Sequence, residues 1–175
     1  MAMFGFGAKP IVGLDIGSSA IKLVEVDKTR SGWVVRSFSS VTLPEDTIVD
    51  GEIVNQAAVV ESIKSLLKET SVRSKLVCTS VAGASVIIKH ISIAKTNPKE
   101  LEDQVYWEAE QYIPFDMNEI SLDYEIVQEE TGDGKMDVLL VAAKKDFIEK
   151  RLGLIAIAAA AVLVALYVAF KLFFR

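Results

Sequence analysis

Thiol and imidazole chemistry are nearly absent from this sequence: its 175 residues hold one cysteine, Cys78, and one histidine, His90. That scarcity excludes an internal disulfide and leaves no Ser-His-Asp, Cys-His or zinc-ligand constellation to assemble. Cys78 sits in the apolar run 76–81 and is expected to be a small buried thiol in a strand. His90 lies in the middle of another predicted strand, far in sequence from any companion ligand. There is no basic excess either. Nineteen Lys and Arg against 24 Asp and Glu give a net charge of −5, which supplies no electrostatic footprint for nucleic acid. Residues 1–10 contain no apolar core of a signal peptide. No internal repeat appears, and the sole biased tract is an Ala-rich stretch near the C-terminus.

What is present is a mixed α/β pattern. Residues 11–16 form a short apolar run between Pro10 and Gly17, and residues 20–26 alternate as its hairpin partner. A third strand is predicted over 33–41. Asn55 caps a helix over about 56–68, on which Val59, Ile63, Leu66 and Leu67 recur as one core-facing stripe. Residues 75–81 read as a fourth strand. A second module follows: a strand over 86–93, a helix over 98–112 opened by Asn97-Pro98 and stopped at Pro114, a strand over 122–126, a turn at Gly132-Asp133-Gly134 and a return strand over 136–143. The acidic residues around that last turn lack the spacing of a calcium loop and read as a solvated hairpin.

The turn after the first strand carries the chemistry. Asp15 ends a strand, where a carboxylate can hold a hydrated Mg²⁺. Gly17 permits a tight turn and close approach of a ligand, and the amides of Gly17, Ser18 and Ser19 can form a nest for phosphate oxygens. Lys22 can reach the same oxygens from the second strand. The competing reading is a plain hairpin turn that contains Asp and Gly.

Residues 12–22, Val-Gly-Leu-Asp-Ile-Gly-Ser-Ser-Ala-Ile-Lys, resemble the first phosphate motif of the actin–hexokinase superfamily. Residues 104–116, Gln-Val-Tyr-Trp-Glu-Ala-Glu-Gln-Tyr-Ile-Pro-Phe-Asp, followed by Met-Asp-Val-Leu-Leu-Val-Ala-Ala-Lys-Lys at 136–145, resemble the PilM family, actin-like proteins of type IV pilus assembly related to the division protein FtsA. The resemblance covers about residues 8–151. It implies a partial actin-like, ribonuclease H-like subdomain 1A over 1–82, with an inserted β-α-β-β subdomain 1C of SHS2 type over 83–143. It implies ATP and Mg²⁺ as cofactors, with Asp15 acting on the metal through its water shell and Gly17, Ser18, Ser19 and Lys22 on the phosphates. It implies a scaffold rather than an enzyme. Its partner would be the N-terminal cytoplasmic peptide of a PilN-like membrane protein, held between the 1A-like sheet and the 1C-like helix, with the pilus assembly ATPase a further partner. A PilM-like chain is also expected to continue into a second lobe with the adenosine pocket, so nucleotide binding and ATPase activity by these residues are expected to be weak or absent.

Two features sharpen these expectations. On the 98–112 helix, at about 100° per residue, Leu101, Val105, Glu108 and Tyr112 fall within about 60° of one another. Glu108 then stands on the apolar stripe, either as a contact for a partner's cation or as a structural hydrogen-bonding group. Trp107 points away from the stripe and, with Tyr112, is a candidate peptide anchor or a residue packed under the following loop. The second feature is the tail. Residues 152–170 carry no charge and would span ~28 Å as a helix, close to a bilayer's hydrocarbon core. Lys144, Lys145, Lys150 and Arg151 precede it and Lys171 and Arg175 follow. The segment 144–151 thus reads as a basic juxtamembrane stretch and 152–174 as a single inner-membrane span with the N-terminal domain cytoplasmic. The readings left open are a tail-anchored adaptor, a truncated or frameshifted gene whose fragment needs a second lobe, and a buried Ala-rich helix that crosses no membrane.

Overall fold

A computed structural model describes residues 10–161 and 167–168. In chain order the elements are β1 Ile11–Ile16, β2 Ala20–Thr29, β3 Gly32–Thr42, β4 Ile48–Val49, β5 Glu52–Ile53, α1 Gln56–Thr70, β6 Leu76–Thr79, β7 Val86–Ala94, α2 Leu101–Ala109, β8 Ile120–Gln128, β9 Lys135–Lys144, α3 Lys145–Ala161 and β10 Tyr167–Val168. They form two compact units. The described part of the first is residues 10–83, 150–161 and 167–168, and that of the second is residues 84–149.

The first unit is a mixed five-stranded sheet in the order β10-β6-β1-β2-β3. β1 and β2 run antiparallel with Leu14 opposite Leu23 and Ile16 opposite Ile21, whereas β6 runs parallel to β1. Period-two alternation puts Val12, Leu14, Ile16, Ile21, Leu23 and Val77 on one face. Val59, Ile63, Leu66 and Leu67 of α1 pack in the same core. The side chain of Asn55 accepts the Ala58 amide at 3.1 Å and starts that helix, and Ser71, with φ 49°, ends it in the left-handed region. The chain then returns to the sheet past Glu25. This buried carboxylate accepts the amides of Arg73 at 3.0 Å and Ser74 at 2.8 Å, which fixes the entry to β6. Cys78 is exposed, not buried. Alternation places Val77 in the core, so Cys78 falls on the opposite face, in the cross-strand row with Gly13, Val24 and Phe38.

The second unit is a three-stranded antiparallel sheet, β7-β9-β8, with α2 on one face. Ile91, Ile93, Val138, Leu140 and Ala142 meet Leu101, Val105 and Ala109. α2 is shorter than the sequence pattern suggests. Asn97 holds the amides of Lys99 and Glu100 with its side chain, a local turn that delays the helix. At the other end the Gln111 and Tyr112 amides bond three residues back, to Glu108 and Ala109, so the last turn tightens ahead of Pro114.

The expected membrane span over 152–174 is corrected by α3 and β10. α3 ends at Ala161, and Tyr167–Val168 pair with Leu76 and Val77 of β6 as a sheet edge. Among the described residues no helix is long and apolar enough to cross a membrane. The physical reason lies in how α3 distributes its side chains. Leu154, Ile155, Ala158 and Ala159 form one stripe and are buried in the core with β1 and α1. The opposite side, Gly153, Ala156, Ile157 and Ala160, is exposed. Three small residues and Ile157 there take the place of the charges that normally mark a solvent face. Arg151 is likewise no juxtamembrane cation; it is buried, with 5% of its surface exposed. A single-pass location loses its basis with the span. Residues 162–166 and 169–174 of that reading lie outside the described residues.

Two substitutions check this core by urea denaturation. Ile155→Ala is expected to cost about 2–4 kcal/mol, because it empties a fully enclosed position. Unchanged stability would remove α3 from the core. Glu25→Ala is expected to cost about 2–4 kcal/mol by leaving two amides without their acceptor.

Candidate phosphate turn and aromatic cluster

β1 and β6 are parallel neighbours, and their carboxyl ends open on one side of the sheet. Ligands in open α/β sheets settle outside such strand ends. A cavity of about 270 Å³ lies there, lined among others by Asp15, Gly17, Ser18, Gly51, Gly83 and Arg151. The turn from β1 to β2 is closed by the Gly17 amide donating to the Ala20 carbonyl at 3.1 Å. A Cβ on residue 17 would lie 3.2 Å from that same oxygen, so a side chain there would crowd the turn by a few tenths of an ångström. The Gly17 amide is therefore committed to the turn. Those of Ser18 and Ser19 meet no acceptor among the described residues. Lys22 lies directly across the sheet from Asp15, with Nζ 3.5 Å from Oδ2. Of the five residues expected to serve a cofactor, Asp15, Gly17 and Ser18 line the cavity, Ser19 completes the turn, and Lys22 reaches the site through Asp15.

Three further contributors come from elsewhere in the chain. Gly51 and Gly83 have φ of 86° and 106°, and a Cβ on Gly51 would stand 3.4 Å from the Ala82 carbonyl and 3.5 Å from the Gly83 Cα. A Cβ would make only ordinary contacts at those distances, and it is the positive φ at both positions that favours glycine. Arg151 projects from α3. Its guanidinium donates to the Ile16 carbonyl at 3.4 Å and to the Gly51 carbonyl at 3.1 Å. Burial lowers its pKa, while the carboxylates of Glu52 and Asp15 oppose that shift. An arginine still keeps its proton, so a positive charge stands in the cavity wall. The sequence carried no signal for it, because residues 152–161 are apolar on every face of the helix; the structure puts Arg151 on the buried stripe with Leu154, Ile155, Ala158 and Ala159.

The residues of the turn are of the kinds that can meet the phosphate part of a nucleotide: the Ser18 and Ser19 amides, a glycine where a Cβ would be crowded, a carboxylate at a strand end and a buried cation. Among the described residues no three His, Cys, Asp or Glu side chains converge as a metal site. A Mg²⁺ brought by the phosphates would meet Asp15 through its water shell. Among the described residues of the lining none is aromatic.

The second unit holds the other candidate residues together. Trp107 is 69% exposed and Tyr112 is exposed. Glu108 is half-buried and accepts hydrogen bonds from the Tyr112 hydroxyl at 3.3 Å and the Gln111 amide at 3.2 Å. Lys89 lies over the Tyr112 ring, 5.1 Å from its centroid. The buried stripe is Leu101, Val105 and Ala109. Glu108 sits at its edge, and Tyr112, lying beyond the helix end, leaves the stripe for the surface.

Gly83→Ala is expected to cost about 1–3 kcal/mol, since φ of 106° is a conformation that alanine rarely adopts. A denaturation midpoint equal to the parent's would show that this loop relaxes freely.

The sequence profile described as type IV pilus assembly protein PilM matches residues 13–170, across the uncharged segment that follows Arg151. Among solved structures, the PilM–PilN type IV pilus biogenesis complex contains a chain 31% identical to this one, with a TM-score of 0.75 over 91% of this chain and 46% of that one. The cytoplasmic domain of EpsL, an inner membrane component of the type II secretion system of Vibrio cholerae, is 14% identical, with a TM-score of 0.52 over 91% of this chain and 56% of that one. The second likeness is one of fold alone. The chain spans about half the length of these solved chains. With one profile matching residues 13–170 and a solved chain 31% identical to it over 91% of its residues, this chain belongs to the PilM family of type IV pilus assembly proteins.

Proposed function

We propose that the chain is a non-enzymatic scaffold in type IV pilus assembly, working at the cytoplasmic face of the bacterial inner membrane by docking the N-terminal peptide of a PilN-like membrane protein. The observation that carries this reading is the cluster on α2. Trp107 and Tyr112 are large aromatics held out from a helix whose other side is locked into the core by Leu101, Val105 and Ala109. Rigid exposed aromatics beside a hydrogen-bonded carboxylate form the anchor-and-rim pattern that binds short peptides. The likeness to a chain solved as a PilM–PilN complex supports the same partner. Attachment to the membrane then comes through that partner. In family terms the first unit corresponds to subdomain 1A and the second to the SHS2-like 1C insertion.

A free peptide of this kind is disordered, and its contacts must offset the cost of ordering it. Apolar burial of an indole ring is the largest contribution that one exposed side chain can make here. Trp107→Ala is expected to weaken binding of a PilN-like N-terminal peptide by roughly 1–3 kcal/mol without changing the thermal midpoint. Glu108→Ala is expected to weaken it less. Isotherms unchanged by both substitutions would place the peptide elsewhere. Nucleotide binding by these residues is weak in this reading: fluorescent ATP analogues should show no saturable binding at micromolar concentration. Steady ATP turnover abolished by Asp15→Ala would overturn the non-enzymatic assignment.

A further inference from the structure

We propose that β3 is a self-association edge: two copies of this chain pair their β3 strands antiparallel, about a two-fold axis between Arg36 and Ser37, and so join their five-stranded sheets. The pairing uses no residue of α2, so it is separable by mutation from peptide docking there.

β3 is the last strand of the first unit's sheet, and among the described residues it pairs with β2 alone. Such an edge is a template for a further strand unless lysine, proline or a covering segment blocks it. Residues 32–42 hold no lysine and no proline. Their one charged side chain is Arg36, and its guanidinium turns back to Asp27 on β2 at 2.8 Å. Arg36 is also the extra residue of a bulge against β2, since Ser37 lies opposite Glu25 and Val35 opposite Val26. A bulge on one strand bends an edge away from its neighbour; at the centre of a two-fold pairing it bends both strands alike and keeps them in register.

The side chains along this edge are apolar and stand in solvent. Trp33, Val35 and Phe38 lie across from Lys28, Val26 and Val24, on the face opposite the core, and are 55%, 62% and 66% exposed. Lys28 keeps its Nζ over the Trp33 ring, 5.6 Å from the centroid, which holds the ammonium on the sheet face.

The spacing selects a second copy as the occupant. On this face β3 presents Trp33, Val35, Phe38 and Ser40, a set symmetric about the bulge. Antiparallel pairing therefore sets Val35 opposite the partner copy's Phe38 twice over. It sets Trp33 opposite the partner copy's Ser40 and diagonal to its Phe38. Aromatic and β-branched side chains facing each other across strands are stabilising pairs, and diagonal aromatics remain within reach. A two-fold contact of this kind uses the same patch on both copies and closes on itself. The exposed parts of the two aromatics amount to roughly 250 Å² per copy, since a whole aromatic side chain buries about 150–250 Å². With Val35 and two main chains added, the contact falls near the lower limit of about 1,200 Å² for a specific interface. The expected dimer is accordingly reversible, with a dissociation constant in the micromolar range.

The test is sedimentation velocity of the full chain over a series from low to high micromolar, with amide hydrogen exchange at both ends of the series. A monomer–dimer equilibrium is expected, and the amides of residues 33–40 are expected to slow as concentration rises. Val35→Lys and Phe38→Lys each place a charge opposite an apolar partner and should raise the dissociation constant about ten-fold or more. Both positions are exposed, so the core is untouched, and circular dichroism verifies that each variant folds. Val127→Lys alters an exposed valine of β8 and should leave the equilibrium unchanged. A chain that stays monomeric throughout overturns the proposal. So does a dimer that both β3 variants leave intact, or one whose exchange protection falls outside β3. Equal loss of association in Val127→Lys overturns the specific pairing in favour of general apolar adhesion. Slowing of the β3 amides only when a PilN-like N-terminal peptide is added overturns the second copy as occupant and makes the edge a peptide site.

Discussion

Burial of one uncharged helical face against a sheet sets the terms for the rest of the first unit. Leu154, Ile155, Ala158 and Ala159 enter the core that also holds β1, β2 and α1. The alanines let α3 approach the sheet closely, since a helix with small residues on its contact side can sit near a neighbouring backbone. That docking fixes α3 in rotation. Arg151 lies one turn before Leu154 and Ile155 on the same stripe, so rotation that buries the leucine and isoleucine also carries the guanidinium inward. A buried arginine needs acceptors, and the Ile16 and Gly51 carbonyls supply them. The geometry of the phosphate turn is thus tied to a hydrophobic contact in a part of the sequence more than a hundred residues away.

The turn itself depends on a different constraint. β1 and β2 form a hairpin whose three-residue connection must reverse the chain while leaving two amides for a ligand. Gly17 achieves the reversal by bonding its own amide to Ala20. Of the three amides in the connection, that of Gly17 is committed to the turn, and those of Ser18 and Ser19 meet no acceptor among the described residues. Parallel pairing of β6 with β1 brings the segment after β6, with Gly83, to the same end of the sheet. Two glycines at positive φ then bring the Gly51 and Gly83 loops together. None of these features is long-range in origin except the strand pairing, and each is a backbone property rather than a side-chain motif.

Much of this was legible from the chain. Periodicity located the strands and α1 well because Leu14, Leu23, Val59 and Ile63 repeat at the periods that burial demands. The motif at 12–22 identified the turn, and the aromatic run at 106–112 carried the family likeness. The tail was misread for a specific reason. Hydropathy counts charge, and after Arg151 both faces of α3 are uncharged: Leu154, Ile155, Ala158 and Ala159 face the core while Gly153, Ala156, Ile157 and Ala160 face outward, so which face is buried is decided by docking on the sheet and not by the pattern of the sequence. Cys78 was misread because an apolar run in a strand does not say which face each residue takes; the pairing Val12 with Val77 decides that, and it is a tertiary fact. The short span of α2 likewise reflects local competition at both ends, the Asn97 turn delaying its start and the tight turn ahead of Pro114 closing it early, which propensity alone does not resolve.

Each unit closes its own core, and the two candidate sites draw on different ones. The cavity depends on the sheet, α1 and α3 through the core that contains Ile16 and Leu154. The aromatic cluster depends on the core that contains Leu101, Val105 and Val138. Trp107 and Tyr112 are therefore held out by one core and the Asp15–Ser19 turn is shaped by the other: α2 keeps its aromatics on an exposed face, whereas the turn sets the Ser18 and Ser19 amides beside the enclosed Arg151 guanidinium.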